Sequence, residues 1–334
     1  MKRLLVLLAL LAAPSAGATS STTFAVAHGR VLALAQGPGA VAWLESSTTG
    51  CRLRVVTGGR SRTTSWARGC LDSGWNLALA GTRAAWGGYE EVRCSETTAA
   101  VFADGRLVKE VPGDCLGFGT SFQGLASDGR AFFYALLETH RQLPSSRCGE
   151  GGPCRWRLAG GTLVRVNGGE VSGLPPAALI AGAAGRLALV QAAATSSSNG
   201  RGSLDWPRAA TDGRVDVRDT ATGRLVTSFR PHGIVRAIAL SSIRAVVLVE
   251  SGAMRRIEWY DSDSGERLGV VPVRAGTLST DGRLVAFTSG GTVHVLDLET
   301  GTQRIVGRGA TTSASVHGHR ILWGAGDRIL EARA

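Results

Sequence analysis

Gly282-Arg283-Leu284-Val285-Ala286-Phe287 is a turn followed by an unbroken apolar run. A run this short is a strand rather than a helix, and without alternation it is a strand buried on both faces. The same turn and run recur along the chain as Gly39-Ala40-Val41-Ala42-Trp43, Thr82-Arg83-Ala84-Ala85-Trp86, Gly129-Arg130-Ala131-Phe132-Phe133, Gly185-Arg186-Leu187-Ala188-Leu189, Ile243-Arg244-Ala245-Val246-Val247 and His319-Arg320-Ile321-Leu322-Trp323. The seven copies lie 37–58 residues apart. Most follow another short strand, such as Leu77-Ala78-Leu79 or Ala237-Ile238-Ala239-Leu240, and most lead into alternating polar and apolar residues and then glycine. No stretch sustains a helical period. The pattern predicts an all-β, seven-bladed β-propeller of four-stranded antiparallel blades, with Trp43, Trp86, Phe133 and Trp323 buried at matching second-strand positions.

Composition agrees. Of 334 residues, 44% are hydrophobic, enough for a sizeable core, and 46 are glycine, as many turns and few long helices require. Residues 312–334 hold about three strands. The fourth strand of that last blade is expected at Thr22–Ala27, which closes the ring and removes an open edge. The apolar stretch Leu174–Ala194 is broken by Pro175, Pro176, Gly182, Gly185 and Arg186, so two core strands explain it better than a membrane span.

The first residues read as a secretory leader. Lys2 and Arg3 precede the apolar run Leu4–Ala13, and Ala16-Gly17-Ala18 is a small-residue cleavage signal. The expected organisation is therefore a signal peptide at 1–18 and a single propeller domain at 19–334, secreted or periplasmic and without a transmembrane anchor. Cleavage removes two of the charges that make up the net +11. Only Lys2 and Lys109 are lysines; every other basic residue is arginine. The arginines are spread through the repeats, with Arg83, Arg130, Arg186, Arg244, Arg283 and Arg320 at one repeated turn. A nucleic-acid site would cluster them with aromatics, so nucleic acid is not the expected partner.

Ser279-Thr280-Asp281-Gly282-Arg283-Leu284-Val285-Ala286-Phe287 resembles the S-x-D-G-R strand start of TolB-type, WD-repeat-like propellers, and Ser127-Asp128-Gly129-Arg130 is a shorter copy. Asp219-Thr220-Ala221-Thr222-Gly223, Asp261-Ser262-Asp263-Ser264-Gly265 and Asp297-Leu298-Glu299-Thr300-Gly301 resemble the D-x-x-[ST]-G turn of the same family. The likeness spans about 214–307, lacks a Trp-Asp dipeptide, and implies a fold rather than an activity. In such turns aspartate binds backbone amides and glycine takes positive φ. A calcium or substrate role for Asp261 and Asp263 is the rarer alternative.

An exported chain with six cysteines suggests disulfides. Cys51 and Cys94 fall at the starts of third strands, and Cys70 and Cys115 just after fourth strands. Antiparallel pairing brings such ends together, giving Cys51–Cys70 and Cys94–Cys115. Cys154 matches Cys51 in register, and its nearest partner is Cys148, across Gly-Glu-Gly-Gly-Pro. No C-x-x-C spacing points to a metal.

Catalytic motifs are absent: there is no G-x-S-x-G, H-E-x-x-H or phosphate-binding loop. No catalytic residue, cofactor or metal is assigned, and His317 with His319 makes too weak a pair for a metal site. Two long second-to-third-strand loops of neighbouring blades are the candidate binding elements. One is Glu138–Cys154, with His140, Arg141 and Arg147. The other is Ala192–Gly213, with Arg201, Asp205, Trp206 and Arg208. They should lie side by side, with Trp206 as an apolar anchor among mostly positive charge. The bland alternatives are a flexible serine-rich insertion and a Trp206 packed onto its own blade. The favoured function is an exported, non-catalytic, monomeric scaffold for a protein or anionic cell-envelope component. A hydrolase or lyase working in the central funnel is the alternative, and a central cluster of acids or histidines would favour it.

Overall fold

The computed structural model describes residues 21–48, 50–66, 73–90, 98–112, 118–141, 154–198 and 211–334. The N-terminal segment read as a leader lies outside them. Strand β1 (Thr22–Val26) opens the chain. Blade 1 is β2 (Val31–Gly37), β3 (Ala40–Ser47), β4 (Gly50–Thr57) and β5 (Arg60–Trp66); blade 2 is β6 (Ser73–Ala80), β7 (Arg83–Glu90), β8 (Thr98–Ala103) and β9 (Arg106–Pro112). Blade 3 is β10 (Phe118–Ser127), β11 (Phe132–Arg141), β12 (Cys154–Arg165) and β13 (Gly169–Val171). Blade 4 is β14 (Ala177–Ala183), β15 (Arg186–Ala192), β17 (Thr211–Asp219) and β18 (Leu225–Phe229), with β16 (Thr195–Ser198) between its second and third strands. Blade 5 is β19 (Ile234–Leu240), β20 (Arg244–Ser251), β21 (Met254–Asp261) and β22 (Arg267–Val273). Blade 6 is β23 (Leu278–Thr280), β24 (Leu284–Ser289), β25 (Thr292–Asp297) and β26 (Gln303–Arg308). Blade 7 is β27 (Ser315–His317), β28 (Arg320–Ala325) and β29 (Arg328–Arg333), completed by β1.

The protein is thus a seven-bladed β-propeller of antiparallel blades. All seven copies of the repeat fall at second strands. β1 pairs β29, Thr22 opposite Glu331 and Val26 opposite Arg328, so the first strand closes the last blade. The stretch 174–194 resolves into β14 and β15, and among the described residues no helix is long and apolar enough to cross a membrane.

Core packing explains the unbroken apolar runs. In β20, Ala245, Val247 and Val249 pack toward blade 4, while Val246 and Leu248 pack toward blade 6. A strand inside two blade–blade interfaces has no solvent face, so alternation vanishes. Trp43, Trp86, Phe133 and Trp323 are all buried, at 2% exposure or less. Trp86 stacks on Phe102 with ring centroids 4.4 Å apart.

The long loops differ from expectation in one respect. Thr195–Ser198 is a strand, β16, annealed to β12 of the neighbouring blade, with Cys154 opposite Ser198 and Arg157 opposite Thr195. β13 occupies the same edge of β12 only at Leu163–Arg165, which leaves the far end open for a second strand. Likewise β11 runs on through Glu138 and His140 to Arg141, shortening the first loop from its near end.

Candidate functional site

Antiparallel strands sort the connections onto two faces. First-to-second and third-to-fourth turns share one, called here the turn face. Second-to-third connections and blade-to-blade connections share the other, the insertion face.

The funnel is built from the seven inner strands, β2, β6, β10, β14, β19, β23 and β27. They carry no aspartate or glutamate; Arg236 and His317 are their only ionisable side chains. Among the described residues no group of three or more His, Cys, Asp or Glu is placed to hold a metal. His317 ends β27 on the turn-face side with His319 beside it, whereas His28 follows β1 at the other end of that blade. The structure does not bring the three together.

On the turn face the acids serve the turns. The Asp219 carboxylate accepts from the amides of Ala221 and Thr222, Asp261 from Asp263 and Ser264, and Asp297 from Glu299 and Thr300, at 2.7–3.1 Å. Asp219 and Asp261 are held below the usual carboxylate range chiefly by the Thr222 hydroxyl and the Ser264 amide respectively. For Asp297 burial works upward, but the Thr300 and Glu299 amides and the Arg283 guanidinium together outweigh it and the net shift is downward. Gly265 has φ 76°, and a Cβ there would come within 2.6 Å of the Thr227 hydroxyl, so both conformation and space demand glycine. Asp263 is ion-paired with Arg186 of the preceding blade at 2.7 Å.

Several of the repeated arginines join blades, whereas Arg283 pairs with Asp297 and Glu299 of its own blade. Arg186 also reaches the Ser262 hydroxyl, and Arg244 donates to the Gly282 carbonyl at 2.8 Å. Arg83 pairs with Asp104 at 2.6 Å and lies over the Phe132 ring. Arg320 donates to Gln36, whose amide returns bonds to the carbonyls of Ser315 and Arg320 across the closing seam. Thr220 donates to buried Asp128 of the preceding blade at 2.7 Å. For Asp128, burial pushes the pKa up, but the Ala131 amide, Thr220 and the Arg130 amide bring it below the usual range.

Two of the sequence-predicted site residues, His140 and Arg141, are described, and both lie toward the insertion face. His140 is exposed near the end of β11, opposite Arg157, and Arg141 ends that strand opposite Trp156. β16 lies on the other edge of β12, so the stems of both insertions meet in one ladder. Arg147, Arg201, Asp205, Trp206 and Arg208 lie outside the described residues, as do Cys70, Cys94, Cys115 and Cys148. Cys51 is buried at 1% exposure, opposite Trp66 near the end of β5, and no cysteine among the described residues is free.

Sequence reasoning missed a set of buried carboxylates on this side of the ring. Asp216, 1% exposed, lies between Arg214 and Arg218 on β17, with Gln191 also donating. Glu258, 0% exposed, lies between Arg256 and Tyr260 on β21 and accepts from both. Burial first, and Glu258 second, push the Tyr260 phenol above its ordinary range, so it stays a donor. Glu45 accepts from the Trp43 indole at 2.9 Å and faces Arg54 at 3.3 Å. The available signal was R-x-D-x-R and R-x-E-x-Y, since residues i and i+2 share one face of a strand.

No protein-family model matches the sequence, and no curated protein matches it. Solved structures do. The β-propeller domain of Cps50 (Swd1) from Myceliophteria thermophila superposes with a TM-score of 0.54 at 12% identity, covering 94% of this chain and 100% of that one. The Pan2 WD40 domain of Neurospora crassa gives 0.46 at 10% identity over 91% and 88%, and Sqt1 of Saccharomyces cerevisiae 0.47 at 10% over 95% and 99%. At such identities the likeness is one of fold alone, a β-propeller.

Proposed function

We propose that this protein is an exported, non-catalytic binding scaffold, freed of its leader after Ala18. In this reading it works in the periplasm or outside the cell as a monomer. It holds a protein or an anionic envelope component at the insertion face over blades 3 and 4. The observation that carries this reading is the ladder between β12 and β16. Two insertions from neighbouring blades are anchored to each other at their stems, which is how a rigid scaffold presents paired binding loops. The acid-free inner strands support binding over funnel chemistry. The contact residues proposed are His140, Arg141, Arg147, Arg201, Asp205, Trp206 and Arg208.

Export implies an oxidising compartment, and the proposed disulfides are Cys51–Cys70, Cys94–Cys115 and Cys148–Cys154. Two observations support the first two pairs. Cys51 is not a free thiol, and Thr98 pairs with Pro112 at the ladder end from which Cys94 and Cys115 continue. Non-reducing peptide mapping should return these three pairs, and a Cys70–Cys94 link would refute them.

The functional test is retention of envelope components on immobilised mature protein, with a Trp206→Ala, Arg208→Ala variant beside it. The same mass-identified component should be retained by the parent and lost by the variant at unchanged fold. Equal retention by both would move the site off these loops. Mass spectrometry of exported material should begin at Thr19; an intact Met1 would remove the export reading.

A further inference from the structure

On the turn face Arg186, Arg244 and Arg320 join blades. On the insertion face, the ends of blades 4 and 5 carry Arg214, Arg230, Arg255 and Arg256 together with two exposed apolar side chains, Ile234 (41%) and Met254 (72%). These belong to one continuous surface. Arg256 donates to the His232 carbonyl in the connection between the two blades. Gly213, next to Arg214, packs against the carbonyls of Pro231 and Gly233 in that same connection. Arg230 reaches back to Asp212 at 3.6 Å. Ile234 is opposite Glu250 and Met254 is opposite Ser251, so the two side chains leave the two faces of blade 5 at the same end of it.

The acids of this surface are buried or shared, except Asp212, which is partly exposed and paired with Arg230 alone. Asp216 and Glu258 are buried under Arg214 and Arg256. Glu250 is shared by Arg236 at 2.6 Å and Arg255 at 2.8 Å; the Arg236 guanidinium chiefly holds it below the usual carboxylate range. Six guanidiniums, that of Arg218 included, therefore meet four carboxylates, and the most exposed of these groups are arginines, beside the exposed Met254 and Ile234.

We propose that this patch docks an acidic segment of a partner protein, an extended stretch in which carboxylate side chains flank an apolar one. The proposal rests on the scaffold reading above and gives the partner its chemistry. Guanidinium forks match carboxylates bidentately. Met254 offers an unbranched side chain that adapts to an apolar group. These exposed apolar side chains favour a polypeptide over a polyanion, because a phosphate or sugar polymer has nothing to place against Met254 and Ile234.

The test uses the mature chain and a fluorescent synthetic peptide of glutamates interspersed with leucines. A second peptide has serine for every leucine, and inorganic polyphosphate is the third probe. The leucine peptide should bind, and the serine peptide should bind at least about tenfold more weakly. Met254→Asp and Arg230→Glu, both at exposed positions, should each cost about tenfold or more, and added salt should weaken binding further. The Trp206→Ala, Arg208→Ala variant should bind the leucine peptide within about twofold of the parent. Failure of the leucine peptide to bind, or binding unmoved by Met254→Asp and Arg230→Glu, would overturn the proposal. So would polyphosphate binding that equals the peptide's and ignores Met254→Asp. Where the peptide fails but the envelope component is still lost with Trp206 and Arg208, the scaffold reading stands and only the docking patch falls.

Discussion

The two faces of the ring are made by opposite uses of sequence. On the turn face the same residues recur blade after blade, and they satisfy one another. Asp219, Asp261 and Asp297 fill identical turns, and Arg186, Arg244 and Arg320 each reach the next blade. On the insertion face little recurs beyond the pairs Arg214–Asp216 and Arg256–Glu258. Among the described residues β16 is grafted onto β12 in one place, and Arg255 and Met254 have no counterparts repeated around the ring. Repetition marks what every blade needs in order to stack; what occurs once is free to serve a partner.

The first test of that contrast is to remove what both faces rest on. Trp323→Ala or Trp86→Ala should each cost roughly 3–5 kcal/mol by denaturant unfolding, the range for deleting a buried aromatic. A loss below about 1 kcal/mol would mean that these fully buried rings do not hold the blades together.

A smaller effect is expected on the turn face. Asp261→Ala or Asp297→Ala removes a carboxylate that accepts two amides and should cost about 0.5–1.5 kcal/mol each, with partner binding unchanged. Lost binding would erase the distinction between the faces.

Acid should act on the same turns. Asp128, Asp219, Asp261 and Asp297 all have folded pKa values below their ordinary ones. Their contribution is therefore complete above the unfolded pKa of about 4 and is lost as pH falls through the lower folded values. Thermal unfolding followed from pH 5 to pH 2 should show a falling Tm below about pH 4, and the fall should be shallower in Asp261→Asn. An equal slope would show that this turn carries no such linkage.

The smallest stability change belongs to the insertion face. Met254→Asp should alter unfolding by no more than about 0.5 kcal/mol, since the side chain is 72% exposed. A larger loss would make Met254 a packing residue and blur the comparison.

The same contrast explains what the sequence disclosed. The seven apolar runs were legible because a strand inside two blade interfaces must be apolar throughout. The closing strand was legible because 312–334 holds only three strands of the last blade. The family-like turns were clear in blades 4 to 6, where aspartate holds them. They were faint earlier because blades 1 and 2 make their third-to-fourth turns differently, through Gly58-Gly59 and Asp104-Gly105 at positive φ. β16 was not legible: Thr195-Ser196-Ser197-Ser198 has no apolar face and pairs only because the long β12 offers it an unoccupied edge. The buried acids Asp216 and Glu258 were not legible because a single carboxylate in a strand carries no mark of burial until neighbouring blades cover it.

The central claim is that the protein works as a scaffold through its insertion face. Hydrogen–deuterium exchange of the mature chain, with and without the envelope component it retains, tests this most directly. Protection is predicted at Thr195–Ser198, at His140 and Arg141, and over 211–214, 230–236 and 254–256. The turns Asp219–Gly223, Asp261–Gly265 and Asp297–Gly301 should exchange unchanged. Protection confined to those turns or to the inner strands would contradict the account.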